Sequence, residues 1–362
     1  MKIAIGGDIS ITKRSWELFD KADEKGAFDD VISVFERNER VMVNLECAVT
    51  ESENRIAKFG PNLKAPLNTV KTLKKAGVTD CFLSNNHIFD FGIPGLNDTL
   101  HALDEEEMLW NGIGDNYEDS RKNHYVIKDG CKIAFINVCE HEYSYATANR
   151  VGARPFDEFE TMHDIRMAKK ESDRVVVIYH GGKEYCRYPS PRLLKACREM
   201  VRCGADVVLC QHSHCIGCYE YFEGGHILYG QGNFHFSSYM DIECWHEGLL
   251  VELDIDKYKN EITFIPVVEK DDGGITLAKG QRNKDILSGF AKRSKQLLDG
   301  TWREEWHKFA KTVEGAYRKS IANIPEDADE KGHQLFSHYL DCEAHTDIWR
   351  ELFPTYNLTN ET

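Results

Sequence analysis

Apolar residues along this chain come in short runs that stop abruptly on polar ones. The runs KIAIGGD (2–8), VMVNLE (41–46), TDCFLSNN (79–86), CKIAFINV (131–138), RVVVIYH (174–180) and ADVVLCQH (205–212) have the length and β-branched content of buried strands. HILYGQGNFHF (226–236), GLLVELDI (248–255) and EITFIPVVE (261–269) extend the series. Between the first six, the period lengthens to that of a helix. Leu67, Val70, Leu73 and Ala76 follow Pro66 and stop at Gly77; Leu96, Leu100 and Leu103 share a face within 94–108; 192–203 repeats the pattern before Gly204. This alternation predicts a layered α/β domain. After about Thr276 only helical periods remain, over 284–300 and 303–324, followed by an acidic segment at 325–353. The expected organisation is a sheet-containing domain over 1–279 with a helical appendage over 280–362 packed on it.

Composition changes this picture little. The chain has 362 residues, 41% of them hydrophobic, enough to bury a large core. Its formal charge of −15, from 45 basic and 60 acidic residues, argues against nucleic acid as a partner. An anionic substrate stays open, because bound cations invert a local field. No apolar stretch approaches the length of a membrane span, and MKIAIGGDIS is too short for a signal-peptide core, so a soluble, cytoplasmic protein is expected. The twelve cysteines then read as reduced thiols. Cys215 and Cys218 have zinc-ligand spacing, but no second pair completes a four-ligand site.

The chemistry lies where the strands stop. Five of the first six end in metal-binding side chains: Asp8, Glu46, Asn86 with His87, His180, and His212 with His214. In open α/β sheets functional groups gather at these carboxyl ends, where loops converge on a rigid frame. Each residue alone also has a structural reading: Asp8 as a turn or cap residue, His180 as a satisfied core histidine. The repetition at five ends favours a metal centre. A mixed oxygen and imidazole set suits Zn, Mn or Fe, and six such ligands with a bridging carboxylate could hold two ions roughly 3.5–4 Å apart. A hydroxide acidified by two cations would attack, and His87 is the candidate to protonate the leaving group. Asp90 is divided between orienting His87 and capping the next helix. Glu184, Tyr185 and Asn233 are candidates for substrate contact or for supporting the ligands.

The order of motifs is itself informative. GGDIS, NLECAVT, FGPNLKAP, KKAGVTDCFLSNNHIFDFGIPGLNDTL, NGIG, YHGGKEY, CGADVVLCQHSH and ILYGQGNFHF follow one another over about 2–236. Together they resemble the capsule-biosynthesis CapA (poly-γ-glutamate synthesis) family, which is similar to the calcineurin-like metallophosphoesterases. The resemblance implies an α-β-β-α sandwich and two divalent metal ions (Mn, Fe or Zn). It implies Asp8, Glu46, Asn86, His180, His212 and His214 as ligands, with Glu46 in the bridging position, and His87 as the non-ligand acid. Two positions depart from it. Ser10 stands where the wider phosphoesterase pattern has a ligand histidine, which thins the shell of one metal, and Gln211 precedes the paired histidines where His or Gly is usual. Members of the family are often anchored or exported.

Three functions follow as expectations: a metal-dependent phosphoester hydrolase, an enzyme acting on γ-linked polyglutamate, and a non-catalytic assembly or binding component of a surface-polymer pathway. The substrate would be an anionic polymer or a phosphoester. Ser10 favours the second and third; His87 and the three other histidines favour an active site.

Overall fold

The first strand shows how the sequence builds the frame. Along Lys2–Ile9, Ile3 and Ile5 turn to one face of a sheet while Ala4 turns to the other. A strict two-residue period would put Ile9 with Ile5, yet Ile9 joins Ala4. The pairing with Arg40–Leu45 shifts register between Ile5 and Asp8, and the pairing with Asn233–His235 shifts again after Asp8. Gly6 and Gly7 permit this. A side chain on Gly6 would meet the Phe234 ring at 2.6 Å, and one on Gly7 the Gly232 carbonyl at 2.7 Å. The irregularity re-aims the carboxylate at the end of the strand, a common use of a bulge beside a site.

In this computed structural model, which describes residues 1–239, 241–321 and 329–354, two sheets lie face to face. The first runs in the order Ile275–Leu277, Asn260–Glu269, Glu247–Ile255, Lys2–Ile9, Arg40–Leu45, Asp80–Phe82 and Leu109–Asn111, with Asn233–His235 also on Lys2–Ile9. The second runs Tyr219–Phe222, Gly225–Leu228, Val207–Gln211, Arg174–His180, Cys131–Cys139 and His124–Lys128. In the first sheet Lys2–Ile9 through Leu109–Asn111 are parallel and the strands on the other side of Lys2–Ile9, from Glu247–Ile255 on, are antiparallel; in the second the central strands are parallel and both edge strands antiparallel. Ile3, Ile5, Met42 and Phe82 of one sheet and Phe135, Val176, Ile178 and Leu209 of the other fill the space between them. Helices Thr69–Ala76 and Gly92–Glu105 cover the outer face of the first sheet. Glu158–Glu171 and Pro191–Arg202 cover that of the second. The layers are therefore α-β-β-α, as expected.

Three local expectations need correction. The run 226–236 is not one strand: it divides into Gly225–Leu228 in the second sheet and Asn233–His235 in the first. Gly230 and Gly232, at φ of 156° and 75°, turn the chain across between the sheets. Pro66 does not open its helix, which begins at Thr69 and leaves Leu67 half exposed. Strands His124–Lys128 and Tyr219–Phe222 and helix Glu158–Glu171 stand where no element was expected.

Helices Gly280–Asp299, Trp302–Ile321, Glu330–Asp341 and Glu343–Leu352 follow the sheets; the parts of the expected appendage at 322–328 and 355–362 lie outside the described residues. Ile286 and Phe290 join the core between the sheets, and Trp302, Trp306, Tyr317, Ile348 and Leu352 join the outer core of the second sheet. The helices thus share the cores of the sheets. All twelve cysteines are buried and free, and among the described residues no helix is long and apolar enough to cross a membrane.

A buried polar network pins the last helix. Arg192 reaches Asp347 at 3.0 Å and Glu140 at 2.5 Å, and Ser190 Oγ donates to Asp347 at 2.5 Å. Burial pushes the Asp347 carboxyl up to about 6 despite Arg192 and Ser190. The folded value exceeds the unfolded one of about 4, so the native state keeps a proton that the unfolded chain releases. This contribution to stability is full below about pH 4 and is lost as pH rises through about 6. Thermal melts across that window are expected to show the loss in wild type relative to Asp347→Asn, and parallel pH profiles would contradict it.

Candidate functional site

Because parallel strands end together, side chains at their carboxyl ends meet. Asp8 lies opposite Asn44 in the neighbouring strand and Asn233 on its other side, and His180 lies opposite Gln211. The edges of the two sheets adjoin there. His180 Nδ1 is 3.5 Å from Asp8 Oδ1, and its Nε2 is 3.4 Å from Glu46 Oε1 and 3.0 Å from Asn86 Oδ1. The His212 backbone N–H donates to Asp8 Oδ2 at 2.8 Å. His212 and His214 both sit in left-handed backbone, at φ of 80° and 53°, a conformation that costs energy for such residues and clusters at functional sites. Asp8, Glu46, Asn86, His180, His212 and His214 are all buried and brought together.

Charge balance in this pocket is tight. Burial raises the Asp8 carboxyl, but the His180 hydrogen bond and charge, with His214 and Asn44, outweigh it and bring it down to about 2. Burial pulls His180 down, yet Glu46 and Asp8 push it up to about 10. A proton on His180 thus offsets the carboxylates, and a bound cation would compete with it.

Whether the residues fit a cation is tested by the polar atoms left bare. Both carboxylate oxygens of Glu46 and Nδ1 of His212 are buried without a hydrogen bond. A buried carboxylate without donors is costly, and native structures rarely keep one unless an ion satisfies it. Glu46, His212 and His214 offer ligand atoms within 4.8 Å of one another. The donor set fits a divalent transition ion.

Surrounding amides orient these side chains. Asn233 Nδ2 donates to the Trp245 carbonyl at 2.9 Å, which turns its Oδ1 to His214 Nδ1 at 2.8 Å. That contact places the His214 proton on Nδ1 and leaves Nε2 as the lone pair, the usual support for a ligating histidine. Asn85 acts similarly at one remove. Its Oδ1 accepts from the His87 and Ile88 N–H groups, so its Nδ2 donates to Leu45 O and Asn44 Oδ1. Asn44 Nδ2 then faces Asp8 Oδ1 at 2.7 Å and His180 Nδ1 at 2.9 Å. Asn86 donates through Nδ2 to Glu142 Oε2 at 2.6 Å, which leaves its Oδ1 toward His180.

His87 stands beside this group with its own partners. Its Nδ1 is 2.6 Å from Asp90 Oδ2, and Asp90 also accepts the Leu63 N–H at 2.7 Å. The helix Gly92–Glu105 has Phe91 at its N-cap and no side-chain cap bond, so the Asp90 side chain is on His87 and not on the helix end. The buried Lys58 ammonium pairs with Asp90 Oδ1 and lies 3.1 Å from His87 Nδ1. Asp90→Asn would leave that ammonium buried and unpaired, a loss of about 3–5 kcal/mol. Denaturant unfolding should show it, with recovery in the Lys58→Met/Asp90→Asn double variant; a single variant as stable as wild type would contradict the pairing.

The remaining residues named from sequence lie at the margin. Ser10 is buried, its Oγ has no hydrogen bond, and its N–H donates to His235 O at 2.9 Å. Glu184 is partly exposed, with Oε1 4.0 Å from His214 Nε2. Tyr185, also partly exposed, stacks on Trp245 at 5.9 Å, and Trp245 packs on His214 at 4.5 Å. Gln211 ties the sheets together through Gly6 O and Gln231. Lys58, Asn44, Glu142 and Trp245 were missed. Asn44 opens the motif NLECAVT and Lys58 precedes FGPNLKAP, but neither carried a local sign of its buried partners.

The sequence model described as "Bacterial capsule synthesis protein PGA_cap" matches residues 2–238. The capsule biosynthesis protein CapA of Bacillus anthracis is 30% identical over 239 residues, covering 64% of this chain and 58% of that one. The PGA biosynthesis protein CapA of Bacillus subtilis (strain 168) is 31% identical over 235 residues, covering 64% and 62%. The aligned region thus spans about three-fifths of each relative's length. Among solved structures, a hypothetical protein from Thermus thermophilus aligns with 74% of this chain and 98% of its own, at a TM-score of 0.45 and 13% identity.

Proposed function

The chain belongs to the bacterial capsule synthesis protein family, and from that membership we propose that it is a metal-dependent hydrolase of surface-polymer metabolism. Its ligands are Asp8, Glu46, Asn86, His180, His212 and His214, and its acid is His87. The observation that carries this reading is the bare Glu46 carboxylate: buried, without a single hydrogen bond, among three imidazoles. Two divalent cations held there would supply Lewis acidity and lower the pKa of an attacking water.

The chain's own residues do the rest. Asp90 accepts the His87 Nδ1 proton and directs Nε2 outward; in the doubly protonated ring the Nε2–H gives its proton to the departing oxygen or nitrogen, and Nδ1 keeps its own. Lys58 holds Asp90 in place through their buried ion pair. Asn44, Asn85, Asn233 and Glu142 fix the ligand side chains before substrate arrives, so little reorganisation is needed at the transition state. Glu184 and Tyr185, at the partly exposed rim, are placed to meet the substrate.

The relatives are named for capsule and PGA biosynthesis, which with the motif resemblance points to poly-γ-glutamate or capsule as the polymer, and the chemistry of the site suits a phosphoester equally. Ser10 favours one alternative, a non-catalytic assembly component that retains the ligands. A panel of phosphoesters and γ-glutamyl peptides, assayed with added Mn²⁺, separates these. Hydrolysis of either class that is abolished by EDTA and restored by Mn²⁺ is the expected result. No turnover of any member with metal bound would leave the assembly role.

A further inference from the structure

A second constellation lies outside the strand-end ligands. Glu142, from the loop after Cys131–Cys139, meets His338 of helix Glu330–Asp341 and His345 of helix Glu343–Leu352. One carboxylate oxygen and one nitrogen from each imidazole all lie within 4.8 Å of one another, in a setting where Glu142 and His345 are buried and His338 nearly so. A loop carboxylate and two imidazoles about 200 positions further along the chain thus converge on one point.

The contacts around them are those that hold ligands and leave their binding atoms free. Glu142 Oε2 is taken by Asn86 Nδ2 at 2.6 Å, while Oε1 faces His338 Nε2 at 3.7 Å, too far for a hydrogen bond. His345 Nδ1 is engaged by the Tyr317 hydroxyl at 2.5 Å, which leaves Nε2 without that partner. Aromatic rings fix both imidazoles: Tyr143 stacks on His338 at 5.1 Å, Tyr339 stacks on His345 at 4.2 Å, and the two histidines meet edge to face at 4.5 Å. Zinc bonds of about 2.0–2.2 Å in tetrahedral geometry put ligand atoms roughly 3.4 Å apart, close to the Glu142–His338 separation. Two imidazoles and a carboxylate are a zinc-type set, with a fourth position for water.

We propose that Glu142, His338 and His345 form a further cation site, for Zn²⁺ or a similar borderline ion, that fastens the C-terminal helices beside the strand-end centre. Through the Glu142–Asn86 hydrogen bond this ion also steadies one of the strand-end ligands, a link between the two sites.

The test uses the full chain, stripped of metal and titrated with Co²⁺, a visible-absorbing substitute for Zn²⁺. Equivalents bound and the absorption bands are compared between wild type, His338→Gln and His345→Gln, with circular dichroism to establish folding. Each variant should bind one equivalent less than wild type and lose the corresponding bands. His338 is the less buried of the two, so His338→Gln decides the matter if His345→Gln does not fold. A folded His338→Gln that binds as many equivalents as wild type, equally tightly, overturns the proposal. Failure of the strand-end site is distinguishable: wild type would then bind a single equivalent, and His338→Gln would still remove it.

Discussion

Glu46→Gln is expected to abolish turnover and to uncouple the stability of the fold from added metal. Glutamine keeps the shape of the side chain but removes the charge that two cations would share. In wild type, Mn²⁺ at a hundred times its dissociation constant should stabilise the native state by about 2.7 kcal/mol through mass action alone. In Glu46→Gln that gain shrinks by the same amount. In EDTA the two proteins should unfold at similar denaturant concentrations, because the carboxylate has no hydrogen bonds to lose. Its 3.4 Å approach to His180 is forfeited, and His180 keeps only Asp8 of the two carboxylates that push its pKa up. A variant that gains as much from Mn²⁺ as wild type would show that Glu46 is not a ligand. One that collapses in EDTA would show that its carboxylate is structural.

The second large effect separates binding from proton transfer. His87→Ala should lower kcat by about 10²–10⁴-fold, the usual worth of a positioned acid, with metal content unchanged. The reason is geometric. The His87 ring is held by Asp90 and Lys58, and it makes no hydrogen bond to Asp8, Glu46 or His180. The loss should be larger for a substrate with a poor leaving group than for an activated aryl ester, since the latter departs without a proton. Equal losses on both, or loss of metal along with activity, would remove His87 from the acid role.

How much of this was legible beforehand depends on the range of the interaction. Strand ends were readable because an apolar period stops on a polar residue, a local signal, and the order of motifs then placed Asn86 and His87 together. Asn44 was not, because a polar residue inside VMVNLE looks like an exposed strand position; only the burial of both faces of that strand shows that it must have partners. Lys58 was hidden because a lysine in a loop is ordinarily solvated, and its partner Asp90 is 32 positions away. Glu142 lay in a segment with no period, and its neighbours His338 and His345 came from helices that read as peripheral. The split of 226–236 between two sheets was signalled by Gly230 and Gly232, but which sheet each half joins depends on contacts with Lys2–Ile9 and Val207–Gln211 that no local pattern carries. Asn85, with no evident chemistry from sequence, turned out to hold the amide chain from His87 to Asp8.

Metal content measures the central claim most directly. The full chain, purified without chelator and analysed by elemental mass spectrometry, should carry Mn, Fe or Zn. A His180→Gln/His212→Gln chain should carry two equivalents fewer. Wild type without transition metal that also takes up none from added Mn²⁺ would contradict the account, as would a double variant that retains the full complement.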